Sequence, residues 1–110
     1  MVQVQHSSNL VEKRMLDVVI KVHDVAIPVS QPNSVLSFKW SRNGKSVPSK
    51  EFQIDASAKV QKVDEHFTGR PNFKFDQVKR AWLPDLNEIA VYCNDEKVGS
   101  VNFDLASFID

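Results

Sequence analysis

With 110 residues, 42% hydrophobic and 25% charged, the chain has an ordinary globular composition that supports one core and not two. Its 14 basic and 14 acidic side chains cancel, so no global field draws it to nucleic acid or membrane, and any such attraction must come from a local patch. The single cysteine excludes an internal disulfide, and no apolar run reaches the length of a membrane span.

Residues 1–13 are mostly polar, with Ser7-Ser8-Asn9 in the middle. They fit a flexible arm or a short edge strand ahead of a domain over residues 14–110, and they lack the basic-then-apolar pattern of a secretory leader. From Leu16 the pattern sharpens. Leu16, Val18, Ile20 and Val22 face one way and Asp17, Val19, Lys21 and His23 the other, which predicts the strongest strand of the chain. Pro28 and Pro32 then remove backbone donors and break pairing between Ala26 and Asn33.

A second strand is predicted from about Ser34 to Ser41, with Leu36, Phe38 and Trp40 inward and Ser37, Lys39 and Ser41 outward. Asn43-Gly44 follows as a two-residue hairpin turn, because both residues tolerate positive φ. Pro48 interrupts the returning strand and marks it as an edge, and Phe52 and Ile54 continue it or begin another. Ala58–Val63 fits a helical turn or a strand. Glu65–Phe75 reads as two extended pieces around Gly69-Arg70-Pro71, and Asp76–Leu83 as one helical turn or an irregular loop.

The end of the chain is clearer. Ile89, Val91 and Cys93 alternate with Ala90, Tyr92 and Asn94; a polar turn over Asn94–Lys97 follows; Val101, Phe103 and Leu105 then alternate with Asn102 and Asp104. Cys93, within the apolar series of its strand, is expected to be buried, which favours a reducing, intracellular setting. Seven or eight short strands broken by Pro and Gly predict an all-β sandwich.

On these residues, Leu16 to Ile109 resembles a C2 domain, an eight-stranded antiparallel β-sandwich, and is most similar to the N-terminal C2 type found ahead of coiled-coil adaptor and scaffold proteins. The likeness rests on the alternating strand Leu16–Val25, on Val35-Leu36-Ser37-Phe38-Lys39-Trp40 with Arg42, on Asn72-Phe73-Lys74-Phe75, and on the ending Gly99 to Phe108. The family's usual tryptophan before the central strand is missing, and Val63-Asp64-Glu65 stands there instead. The resemblance implies a docking module of a larger cytoplasmic scaffold, cytoskeletal, centrosomal or ciliary, or membrane-trafficking, fused to coiled-coil segments and recognising a protein partner.

Calcium-binding members of that family place several aspartates in end loops, because a hard cation needs six or more oxygens. The corresponding loop here, Pro28–Asn33, has no carboxylate, and Asn94, Asp95 and Glu96 alone make no cage. Calcium independence and no cofactor are therefore expected.

Two surfaces are candidates for contact. Lys39, Arg42, Lys45 and Lys50 occur without an intervening acid. An uninterrupted two-residue hairpin sets Lys50 opposite Ser37, on the face of Lys39, with Arg42 and Lys45 solvated at the tip. Such a hairpin suits acidic phospholipid, each cation adding roughly 1 kcal/mol, or else merely protects a sheet edge from aggregation. Trp82, Leu83 and Leu86 form a possible apolar patch with Lys79 and Arg80 beside it; burial of Trp82 under the sandwich end is the alternative. Residues 81–110 carry Asp85, Glu88, Asp95, Glu96, Asp104 and Asp110 against Lys97 alone, a polarity suited to oriented docking or to self-association in an assembly.

No catalytic or metal-ligating constellation emerges. His6, His23 and His66 are scattered, His23 and Asp24 point to opposite faces of a strand, and Cys93 has no adjacent base. Gly69 and Gly99 are isolated and make no phosphate-cradling loop.

Overall fold

Alternating β-branched and aromatic side chains fit a pleated, half-buried surface, and the chain is extended over most of its length. The structure, a computed structural model, describes residues 11–26, 34–55 and 57–109. Among these, ten strands follow in chain order: β1 (Val11–Met15), β2 (Val18–Val25), β3 (Val35–Arg42), β4 (Lys45–Pro48), β5 (Phe52–Gln53), β6 (Gln61–Gly69), β7 (Asn72–Asp76), β8 (Ala81–Trp82), β9 (Leu86–Cys93) and β10 (Glu96–Asp104). Every pairing is antiparallel, so the protein is all-β.

The first layer is a five-stranded sheet in the order β10-β9-β3-β4, with β5 continuing along the same side of β3 as β4. Its two hairpins are local. Asn43 and Gly44 (φ 52° and 77°) turn β3 into β4, and Asn94 and Asp95 (φ 51° and 66°) turn β9 into β10. Asparagine, aspartate and glycine are the residues that enter this left-handed region at least cost.

The second layer is built differently. β1 pairs with β7 and β2 with β6, and the two ladders share one register. Val11↔Asp76 leads to Met15↔Asn72, Leu16 N–H then bonds the Pro71 carbonyl at 3.2 Å, and Val18↔Gly69 continues the series to Val22↔Glu65. The interruption at residues 16–17 has a chemical cause: Pro71 has no N–H to return the bond. Residues 11–25 and 61–76 are thus one long two-stranded ribbon, with β8 added beyond β7. An extra residue in β6, where Asp64 takes φ 47°, bends its far end.

The core lies between the layers. Phe38, Trp40 and Ile89 meet Val63, Phe67 and Phe73 of the ribbon, and a short 3-10 helix, Leu105–Phe108, closes one end with Leu105 and Ala106. Gly69 lies against the Trp40 ring, where a Cβ would stand 3.2 Å from a ring carbon. Close approach, not phosphate binding, is the use of this glycine.

The inward set Leu36, Phe38 and Trp40, the Asn-Gly turn and the edge position of Pro48 agree with the sequence reading, and the strong strand expected from Leu16 is found from Val18, after the break at residues 16–17. Other expectations need correction. Ten strands replace the expected eight, partly because Pro71 and a bulge after β4 split longer runs. Ala58–Val63 resolves toward strand, since β6 begins at Gln61. Asp76–Leu83 forms a hairpin: the Asp76 carboxylate accepts the N–H groups of Val78 and Lys79 (2.9 and 3.1 Å), and Arg80 at φ 53° redirects the chain into β8. Cys93 is half-buried. Of the arm over residues 1–13, residues 11–13 lie in the edge strand β1 and residues 1–10 lie outside the described residues, as does the loop Pro28–Asn33, on which the calcium expectation rests.

Candidate docking surfaces

The basic hairpin does not gather its charges. Lys39 lies over the Tyr92 ring at 5.2 Å, in a recess it shares with Glu51 and Asp95. Lys45 is exposed beside the turn, and Lys50 lies over Phe52 at 5.3 Å. The expected Lys50–Ser37 pairing is absent. Register holds as far as Ser49, whose N–H bonds the Phe38 carbonyl at 2.8 Å, and then slips by one residue before Phe52 pairs with Leu36. Where the chain swings away, the Ser49 hydroxyl takes over as acceptor for Phe38 N–H (2.8 Å) and donates to the Lys50 carbonyl.

Arg42 departs furthest from expectation. It is not solvated at the tip: its side chain is 19% exposed and forks onto Asp85, itself 10% exposed, through contacts of 2.8 and 2.5 Å. A third bond reaches the Asn72 carbonyl. Asn87 donates to Asp85 and accepts the Trp40 indole N–H at 2.7 Å. Asp85 N–H in turn bonds Asp104, whose carboxylate also caps the 3-10 helix through Ala106 N–H. Burial alone would push the Asp85 carboxyl up, but hydrogen bonds from Arg42 and Asn87 outweigh it and hold it below the usual carboxylate range. This network joins β3, β7, β9 and the helix; it is a structural staple and withdraws Arg42 from any surface patch.

Trp82 is half-buried. Its ring meets Phe73 and Phe75 edge-on at 6.3 and 5.1 Å, and Arg14, held by Glu12 at 2.9 Å, lies 5.6 Å over it. Leu83 is half-buried and tied to Lys74 through its backbone N–H, whereas Leu86 is 73% exposed. The three residues therefore form no common patch: Trp82 belongs to an aromatic cluster capped by Arg14, and Leu86 stands apart.

A surface not foreseen from the sequence is the open side of the molecule. β2 and β10 are the outer strands of the two layers there, and neither has a further partner among the described residues. Between them runs a continuous, mainly apolar groove, its two recesses sharing Ile20, Lys21 and Phe103 and reaching Val22, Phe38, Val91 and Val101. Alternation along each strand marks these residues as one face. It carries no information on whether another layer covers that face.

Among the described residues no three His, Cys, Asp or Glu side chains converge as a metal site, and no helix is long and apolar enough to cross a membrane. His23 lies 3.5 Å from Asp64 and not against Asp24. No family model, curated protein or solved structure matches this chain.

Proposed function

We propose that the chain is a non-enzymatic, calcium-independent docking domain with a C2-like sandwich, belonging to a larger intracellular scaffold and binding a protein partner. The observation that carries this reading is the groove between β2 and β10. Two strand edges that have no further strand partner among the described residues flank an apolar channel, which suits an extended peptide with apolar residues at alternate positions. Main-chain hydrogen bonds to an edge would supply affinity, and the channel would select side chains. The C2 assignment draws support from the two antiparallel layers and from the resemblance over Leu16 to Ile109.

The test compares proteins retained by the wild type with those retained by Val101→Asp and by Leu86→Asp. Val101 lines the groove and Leu86 does not, so a defined partner is expected to survive the second change and disappear with the first. Retention indifferent to Val101→Asp but lost with Trp82→Ala would move docking to the aromatic cluster and overturn the groove assignment.

A further inference from the structure

The two hairpins of the five-stranded sheet make the same kind of turn with different residues. Asn43-Gly44 and Asn94-Asp95 hold left-handed φ at both central positions, 52° and 77° in the first, 51° and 66° in the second. Glycine is the least strained residue at the second position, and Asp95 puts a β-carbon there. The second turn is held in place. The Asn94 side-chain oxygen accepts the Val35 N–H at 3.0 Å, and the Asn94 N–H bonds the Val35 carbonyl at 2.9 Å. Asp95 and Glu96 are exposed, and Glu51 lines the recess beside Asp95 and Lys39. Among the described residues no ion pair engages Glu51, Asp95 or Glu96.

The opposite end of the sheet is basic. Leu86, the first residue of β9, borders a recess of about 280 Å³, whereas the acidic turn follows Cys93, seven residues or about 24 Å along the same strand. Arg42 and Asp85 form one wall of this recess and neutralise each other, and Asn43, Asn72 and Lys74 complete it. The side-chain amides of Asn43 and Asn72 have no hydrogen-bond partner among the described residues. Lys74 stands directly opposite Lys13, and like charges so placed oppose folding. Lys45 is exposed beside the Asn43-Gly44 turn. Among the described residues no ion pair relieves Lys13, Lys45 or Lys74. The recess is smaller than sites that enclose a cofactor-sized molecule, and its free amides and ammonium group suit a carboxylate side chain.

We propose that the Asp95-Glu96 turn of one copy enters the Asn43, Asn72 and Lys74 recess of the next, so that the chain assembles head to tail. The occupant is a second copy because three free acids at one end meet three free cations at the other. The two surfaces lie at opposite ends of β9, so the contact is heterologous: it leaves one surface of each kind unfilled and repeats instead of closing as a pair. This inference does not rest on the partner groove, whose lining residues take no part in it.

The experiment is sedimentation velocity of the whole chain up to about 1 mM, at two salt concentrations, in a Val101→Lys background that removes the β10 edge from the measurement. Species larger than a dimer are expected at low salt, and fewer at high salt. Asp95→Gly separates recognition from folding. It gives the second turn the composition of the first, so the melting temperature holds or rises while the association constant falls by up to about five-fold. Lys13→Glu with Lys74→Glu in one copy, or Asp95→Lys with Glu96→Lys in another, abolishes self-association, and mixing the two copies restores it. Lys21→Glu with Lys59→Glu, the same change in net charge placed away from the recess, leaves association as it was. A monomer at every concentration and both salts overturns the proposal, as does an assembly that stops at a dimer. Association that survives either reversal, or mixed reversals that stay apart, also overturns it. Equal weakening by the Lys21 and Lys59 changes does so too, since net charge alone would then account for the association.

Discussion

Asp85 is the residue on which most of the polar interior depends. It receives two bonds from Arg42 and one from Asn87, and its backbone ties β9 to the 3-10 helix through Asp104 and Leu105. Asp85→Asn leaves a largely buried guanidinium without its counter-ion, and a loss of about 2–4 kcal/mol in denaturant-unfolding stability is expected. The pH dependence has a defined sign. Because the folded-state value of Asp85 is depressed, its contribution is complete above the ordinary aspartate pKa, about 4, and disappears as pH falls through the lower folded value. Urea titrations of both proteins should thus differ most at neutral pH and converge under strong acid. A gap that stayed constant down to pH 2 would remove Asp85 ionisation as the cause.

At the scale of elements, the ribbon and the hairpins were unequally legible. The Asn43-Gly44 turn announces itself because its residue types are the ones a mirror-image turn tolerates, and Leu36, Phe38 and Trp40 announce a buried face by alternation alone. Nothing local tells Lys13 that it will face Lys74, or Arg42 that it will meet Asp85, since pairing partners remote in sequence leave no mark on either segment. Asp76–Leu83 was ambiguous for another reason: an aspartate capping two backbone N–H groups serves a helix start and a hairpin turn equally well. Where the layers touch, the fit is tight. Gly69→Ala would set a methyl group 3.2 Å from the Trp40 ring, whose Nε1 is fixed by Asn87, so the ring has little room to yield. A loss of about 1–3 kcal/mol is expected, with a shift in Trp40 fluorescence; an unchanged melting curve would mean that the layers can slide apart without cost.

For the molecule as a whole, the exposed edges matter as much as the core. β10 is exposed along nearly its whole length, with Val98 at 50% and Val101 at 63%, and its protection is confined to Lys97 and the bulge between Lys97 and Gly99 near its start. Val101→Lys is expected to reduce concentration-dependent association, measured by sedimentation velocity, while moving stability by no more than about 0.5 kcal/mol. If wild type and variant sediment alike at every concentration, the β10 edge does not pair between copies. The ribbon has a further consequence, in time and not in energy. The β3–β4 and β9–β10 hairpins close over two-residue turns, whereas the ribbon joins residue 25 to residue 61 at its inner end and residue 11 to residue 76 at its outer end. Closing so long a loop costs chain entropy before any rung repays it. The two hairpins therefore close first, the β3–β9 pairing and the ribbon both wait on long loops, and within the ribbon the rungs form from Val25 outward, so that Val11–Met15 is its last strand to pair as the chain folds.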